Sequence, residues 1–175
     1  SRGCPYNCLF CTASFINGRR WRSRSVGNVL QELELIKKTG VREFIIVDNA
    51  STDGSLEQVR ALYPEVTVVR NAANLGYSRA GNIGIAKSNG EFVVIMNPDM
   101  VVDLEWLEGL VEAAHCYPHA AFFQPKILLM GNPGRLNSAG NMIHVAGFGV
   151  CRGIGSPDSE GFQKESEVCY TSGAC

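Results

Sequence analysis

Two aspartates stand where an α/β sheet would bring them to a ligand. Asp48 ends the apolar run at 44–47, and Asp99 follows the apolar run at 92–96. Ligands of open parallel sheets bind beyond the carboxyl ends of the strands. There, one aspartate can accept a hydrogen bond from a base or sugar, and another can hold a divalent cation together with substrate phosphates. Each aspartate can equally cap the helix that follows it, so the residues alone leave both roles open.

Three cysteines form a second group of reactive side chains. Cys4, Cys8 and Cys11 have spacings of four and three residues in the sequence CPYNCLFC. Three thiolates can hold three irons of a four-iron cluster and leave the fourth iron open to a small molecule. A zinc site is the alternative, but it would need a fourth ligand from a distant Cys or His.

Composition limits the possible classes of protein. The chain has 175 residues, of which 45% are hydrophobic, enough for a core and too many for a disordered chain. The net charge of −1 argues against a nucleic-acid partner. No apolar stretch approaches the roughly 18 residues of a membrane span. The seven cysteines are too unevenly placed for a disulfide scaffold, which favours the reducing cytoplasm, in solution or at the membrane surface.

Apolar periodicity predicts the elements that must position these side chains. Helices and strands alternate, which predicts an α/β fold with a mostly parallel sheet and flanking helices. Residues 55–58 (SLEQ) have the spelling of a capping box. Predicted helices cover 25–40, 55–62, 78–87 and 104–114; predicted strands cover 43–48, 66–69 and 92–96, with later strands near 122–129, 142–145 and 167–170.

Several motifs resemble family 2 glycosyltransferases, which have the GT-A (nucleotide-diphospho-sugar transferase-like) fold. VDNASTDGS at 47–55 resembles the family's first nucleotide-contacting loop, and NLGYSRAGNIGI at 74–85 resembles its next segment. MNPD at 96–99 lies where the family has its Asp-x-Asp variant. LNSAG at 136–140 and YTSGA at 170–174 resemble the rhamnosyltransferase-like branch. The resemblance covers residues 44–175 and is specific because five motifs occur in order.

The resemblance implies roles for individual residues. Asp48 would contact the nucleotide base, Asn97 would lie near the ribose, and Asp99 would bind the Mg²⁺ or Mn²⁺ that bridges the donor diphosphate. The other implied donor-binding residues are Asn49, in the loop after Asp48, and Arg79 and Asn82, on the following helix. Arg79 can alternatively be a solvated surface residue, and Asn82 can alternatively cap the Asp48 loop. Asp53 is interpreted as a turn residue, because Asx side chains stabilise such turns.

The same resemblance predicts what the chain lacks. The family begins with an apolar strand that has no counterpart here, and its catalytic base lies downstream of the Ser-Gly-Ala segment. We therefore expect a glycosyltransferase domain truncated at both ends, with no catalytic base present. The implied partners are a UDP- or dTDP-sugar donor and a glycan or lipid-linked acceptor.

The cysteine segment resembles a different family. The CPYNCLFC sequence at 4–11, with GRRWRSRS at 18–25 and the helix after it, resembles radical S-adenosylmethionine enzymes of the cobalamin-binding branch. This resemblance covers residues 1–43 and implies a [4Fe-4S] cluster and S-adenosylmethionine. Alternatively, the tripeptide at 5–7 belongs to a glycosyltransferase loop, although the flanking cysteines fit that poorly.

Two segments are thus expected, a radical-enzyme-like one at 1–43 and a partial glycosyltransferase domain at 44–175. The predicted function is metal-dependent, inverting sugar transfer from a nucleotide-diphosphate donor. The alternatives are a radical S-adenosylmethionine iron–sulfur enzyme and a non-catalytic module that holds a nucleotide sugar.

Overall fold

A computed structural model describes residues 34, 36, 38 and 40–173. The chain divides into two compact units, Ser1–Val93 and Val94–Cys175. Most of the helix predicted at 25–40 lies outside the described residues. At its end, Glu34 and Ile36 are helical. Gly40 has a φ of 86°, the left-handed conformation that commonly follows the last turn of a helix.

The first unit contains a parallel pair of strands. Strand β1 spans Ile45–Asp48, and strand β2 spans Thr67–Arg70. They pair in parallel from Ile45 opposite Thr67 to Asp48 opposite Arg70. Helix α1, Ser55–Leu62, connects them, and helix α2, Tyr77–Lys87, follows β2. The predicted order of strand, helix, strand and helix is therefore confirmed in this unit.

Helices cover both faces of this strand pair. From the α1 side, Val59 and the residues that follow the helix form a core against alternate strand residues, namely Val59, Tyr63 and Val66 packed with Phe44, Ile46 and Val68. The other face is covered by α2, which packs against β1. A Cβ atom added at Gly84 would lie 3.4 Å from Val47 Cγ2, so the glycine allows a close approach of helix and strand. The sheet therefore has apolar residues on both faces, as a buried parallel sheet requires.

Helix α1 begins differently from the capping-box prediction. Its N-cap is Gly54, with a φ of 76°, and no side chain caps the helix. Ser55 is instead the first helical residue, and both its backbone N–H and its hydroxyl donate to Asp53 Oδ1. The prediction that Ser55 is the cap was wrong, because the helix begins at Ser55 itself and the Ser55 hydroxyl is oriented towards the Asp53 carboxylate.

The second unit contains one helix and two antiparallel strand pairs among the described residues. Helix α3 spans Trp106–Cys116. Strands β3, Ile127–Leu129, and β4, Asn132–Ser138, form one pair. Strands β5, Asn141–Ile143, and β6, Gly149–Cys151, form the other. The backbone turns once into a 3₁₀ helix at Glu160–Phe162, and Tyr170 forms an isolated bridge with Asn141.

The apolar run at 92–96 differs from its prediction. It forms no strand, and Phe92 and Ile95 are 44% and 39% exposed. An isolated extended segment has no ladder hydrogen bonds, so apolar β-branched residues alone do not make a strand. Of the three described strand pairs, the pair in the first unit is parallel and the two in the second unit are antiparallel. The predicted parallel pairing is therefore found in the first unit alone among the described residues. Within the described residues, no helix has the length and apolar character needed to cross a membrane.

Candidate functional site

Asp48 lies at the carboxyl end of β1, and its side chain is hydrogen-bonded to the loop that follows. Its side chain is only 6% exposed. Both carboxylate oxygens accept the backbone N–H of Ser51, at 3.1 and 3.3 Å. Oδ2 also lies 3.6 Å from Arg70 Nε, on the neighbouring strand. A buried carboxylate with a hydrogen-bond donor and a cation is electrostatically satisfied, so Asp48 shapes its own loop.

Arg70 connects three parts of this edge. Its guanidinium lies beside Asp48, donates from Nη1 to Glu57 Oε1 at 3.2 Å, and donates from Nη2 to the Ser51 carbonyl at 3.0 Å. The side chain is 44% exposed, so it reaches from the sheet edge to solvent. Sequence reasoning missed this residue. Its one sequence signal was a basic residue directly after the predicted strand at 66–69, and the register that puts it opposite Asp48 is known only from the structure.

Asn49 joins the loops that follow the two strands. Its Nδ2 donates to the Gly76 carbonyl at 3.3 Å, and its Oδ1 accepts from Asn71 Nδ2 at 2.9 Å. The Asn71 backbone N–H also donates to the Asp48 carbonyl at 2.9 Å. The loop after β1 and the loop before α2 are therefore held together by amide side chains.

The loop after β1 contains a strained residue. Ala50 has a φ of 64°, in the left-handed region that a residue with a Cβ seldom adopts. Such a conformation costs on the order of 1–2 kcal/mol and persists where hydrogen bonds and packing of the neighbouring residues hold it in place. Hydrogen bonds of Asn49 on one side and of Ser51 on the other supply that constraint. The backbone at 49–51 therefore has one imposed shape.

Asp53 belongs to the same loop but has a local role. Hydrogen bonds from the Ser55 hydroxyl, at 2.5 Å, and from the Ser55 N–H, at 3.1 Å, lower the pKa of Asp53 below its ordinary value. The interpretation of Asp53 as a turn residue agrees with these bonds.

Arg79 and Asn82 both lie on α2 and are exposed. They are three residues apart, so they are neighbours on the helix surface. The helix begins after Gly76, which has a φ of 81° and whose N–H donates to Asn74 Oδ1 at 2.9 Å. Since Asn49 binds the Gly76 carbonyl, the start of α2 is tied directly to the loop after β1.

Asn97 and Asp99 lie in the second unit, where both are half-buried. The Asn97 carbonyl accepts the N–H of Met100 at 3.3 Å, which closes a turn around Asp99. In the described part of the chain, no group of three or more His, Cys, Asp or Glu residues could hold a metal ion. The role of Asp99 as a cation ligand stays a prediction.

The predicted site residues thus fall into three sets. Asp48 and Asn49 share one hydrogen-bonded loop, which is tied to the helix of Arg79 and Asn82. Asn97 and Asp99 share a turn in the other unit, so their approach to Asp48 stays a prediction. The remaining predicted ligands, Cys4, Cys8 and Cys11, lie outside the described residues.

Comparison with known proteins gives relatives of two kinds. The chain is 31% identical over 94 residues to N-acetylglucosaminyl-diphospho-decaprenol L-rhamnosyltransferase of Mycobacterium tuberculosis, which covers 47% of this chain and 31% of that protein. It is 31% identical over 84 residues to an uncharacterized methyltransferase of Pyrococcus horikoshii, covering 47% of this chain and 18% of the relative. It is 42% identical over 50 residues to a hopanoid C-3 methylase of Methylococcus capsulatus, covering 29% of this chain and 9% of the relative. The chain therefore spans less than a third of each relative's length. No solved structure matches it.

The family comparison covers most of the structure just described. The profile of glycosyl transferase family 2 matches residues 24–150, which include β1, β2, α1, α2 and the turn at Asp99. This range overlaps the segment expected from the motifs, 44–175, without sharing either boundary. The predicted resemblance to the family is confirmed, and the methyl-transferring relatives fit the second resemblance. More than half of the chain matches this one family, and the chain belongs to glycosyl transferase family 2.

Proposed function

We propose that this chain takes part in sugar transfer from a nucleotide-diphosphate donor, with the donor held at the carboxyl ends of β1 and β2. The observation that carries the proposal is the constrained loop at 49–51, which follows β1 inside the range matched by the family. A loop held in one backbone shape can bind a rigid nucleoside without a large cost of ordering.

The donor contacts are assigned by position. Asp48 and Asn49 would meet the nucleoside, and Arg79 would reach a phosphate or the base from the exposed face of α2. Asn82, one turn further along that helix, would support the same contact. Asn97 would lie near the ribose. The small exposed area of Asp48 means that a base would reach it only at an edge of the carboxylate.

The cation is assigned to Asp99. A bound Mg²⁺ or Mn²⁺ would neutralise the charge that develops on the leaving nucleoside diphosphate. Asp99 would contribute a single carboxylate ligand, and the donor phosphates would contribute others.

The reaction would be a displacement at the anomeric carbon. A hydroxyl oxygen of a glycan or lipid-linked acceptor forms the new bond, and the bond to the nucleoside diphosphate breaks with its electron pair on the diphosphate oxygen. The acceptor proton passes to a general base. A single displacement of this kind inverts the anomeric configuration. We assign no residue of the described part as that base.

Isothermal titration calorimetry tests the binding step. We expect wild-type chain to bind a UDP- or dTDP-sugar in the presence of Mn²⁺, and Asp99→Asn to weaken binding about tenfold or more through loss of the cation ligand. Asp103→Asn is the matched control, because it makes the same charge change four residues away at an exposed position. It should leave the affinity unchanged.

Two results of this titration count against the proposal. One is the absence of any Mn²⁺-dependent heat with either donor, and the other is an equal loss in Asp99→Asn and Asp103→Asn. If binding is found, release of the nucleoside diphosphate separates a transferase from a module that only holds the donor.

The cysteine segment supports a second candidate function. The spacing of Cys4, Cys8 and Cys11, which resembles that of radical S-adenosylmethionine enzymes, favours a [4Fe-4S] cluster with S-adenosylmethionine at its open iron. The similarity to two methyl-transferring proteins is consistent with this function. Anaerobic reconstitution with iron and sulfide would then give a cluster absorbance that Cys8→Ala abolishes. Equal absorbance in both proteins would exclude this cluster.

A further inference from the structure

We propose that Arg70 is a positioning residue, which fixes the donor loop at 49–54 through Asp48 and Ser51 without itself touching the donor. This inference rests on the proposed function, because it assigns the reason why that loop is fixed. Arg70 is outside the motifs that identified the family.

The argument begins with the Ser51 peptide, which is held from both sides. Its N–H donates to the Asp48 carboxylate at 3.1 and 3.3 Å, and its carbonyl accepts from Arg70 Nη2 at 3.0 Å. Arg70 Nε lies 3.6 Å from the same carboxylate. Asp48, Ser51 and Arg70 therefore close a ring of interactions around one turn of the loop.

The ring needs the shape of a guanidinium. Three nitrogen atoms of Arg70 meet three different partners, Asp48, Ser51 and Glu57. A planar fork can do this in one rotamer, whereas an ammonium group is a single point of charge. The partners belong to β1, the loop and α1, so a single side chain holds these three parts of the chain in fixed positions relative to one another.

The ring also explains how the strained residue is held. Ala50, with its φ of 64°, lies between Asp48 and Ser51. If Arg70 releases the Ser51 carbonyl, the loop can relax to a more favourable backbone conformation. Asp48 would then lose the alignment of its carboxylate edge, and the donor would have to reorder the loop on binding.

The test is nucleotide affinity in variants of the whole chain, measured in the presence of Mn²⁺ with UDP and with dTDP. We expect Arg70→Gln to weaken binding about tenfold, since a charged hydrogen-bond network is lost. Arg70→Lys, which keeps the charge but not the fork, should give a smaller loss. Arg60→Gln is the matched control, because it removes the same charge from an exposed position on α1 and should bind like wild type.

A double-mutant cycle tests whether Arg70 and Asp48 act on the loop together. Because Asp48 and Arg70 hold the same Ser51 peptide, the loss of affinity in the Asp48→Asn, Arg70→Gln double variant should be smaller than the product of the two single losses. Hydrogen exchange at the Ser51 amide should be faster in Arg70→Gln and Arg70→Lys than in wild type, whether or not donor is added. The Ser51 amide can exchange through local opening of the loop, so its exchange rate measures how firmly the loop is held.

Several outcomes would overturn the inference. Losses that multiply in the double variant would mean that Arg70 and Asp48 act independently, and not through the shared Ser51 peptide. Wild-type affinity or wild-type Ser51 exchange in Arg70→Gln would mean that the loop does not depend on it. If wild type binds neither UDP nor dTDP in the presence of Mn²⁺, the proposed function fails and the inference fails with it. If wild type binds normally and Arg70→Gln has no effect, only the inference fails.

Discussion

The carboxylate of Asp53 accepts two hydrogen bonds from Ser55, and both lower its pKa in the folded chain. A carboxyl with a lower pKa in the folded state than in the unfolded state stabilises the fold above its unfolded pKa. That stabilisation is lost as the pH falls through the folded pKa. We expect a carboxyl NMR titration of Asp53 to have its midpoint below the ordinary pKa of an aspartate, and Ser55→Ala to raise that midpoint.

Thr52→Val serves as the control for this titration, because it removes a neighbouring hydroxyl and leaves Ser55 in place. The midpoint of Asp53 should not move in this variant. An unchanged midpoint in Ser55→Ala, or an equal rise in Thr52→Val, would contradict the assigned cause.

At the residue scale, the sequence predicted where a residue lies along a strand or turn better than it predicted which residues surround it. It placed Asp48 at a strand end and Asp53 in a turn, because apolar runs and Asx residues mark these places locally. The buried carboxylate of Asp48 has its ion-pair partner, Arg70, on the neighbouring strand. Strand register is a tertiary property that the alternation of one segment does not encode.

The approach of α2 to β1 depends on Gly84, and this carries a prediction at the scale of elements. A Cβ at this position would already lie 3.4 Å from Val47 Cγ2. A longer side chain would push the helix off the strand, so we expect Gly84→Leu to lower the free energy of unfolding by about 1–3 kcal/mol. Urea denaturation of the whole chain measures this change.

The control is Gly109→Leu on α3. A Cβ at Gly109 meets nothing within 4 Å, and leucine is a better helix former than glycine. This variant should therefore leave stability unchanged or raise it. If Gly84→Leu is as well tolerated as Gly109→Leu, then α2 does not pack against β1 as described.

At the element scale, periodicity found most of the described helices to within two residues. Helix α1 was predicted at 55–62 and observed at Ser55–Leu62, and α3 was predicted at 104–114 and observed at Trp106–Cys116. The errors arose where a local pattern needed a distant partner. The run at 92–96 has the composition of a strand but no ladder, and β4 contains Pro133 and Gly134, which disfavour a strand in the sequence pattern.

At the scale of the whole molecule, the chain presents two compact units and two kinds of relatives. The family profile runs across the boundary between the units, from residue 24 to residue 150. Of the two aspartates assigned to the donor, Asp48 lies in the first unit and Asp99 in the second, so a single donor site for both is a proposal. The sequence indicated Asp48 and Asp99 as candidate ligands because each follows an apolar run. The distance between them depends on the arrangement of the two units.

Paramagnetic broadening by Mn²⁺ tests this central claim most directly. In ¹⁵N-labelled chain with UDP and Mn²⁺, a single site predicts loss of amide signals both at 49–54 and at 97–100. Asp99→Asn should restore the two groups of signals together, while Asp103→Asn should not. Broadening at 97–100 with sharp signals at 49–54, under conditions where UDP is bound, would contradict the claim that both aspartates serve one donor site.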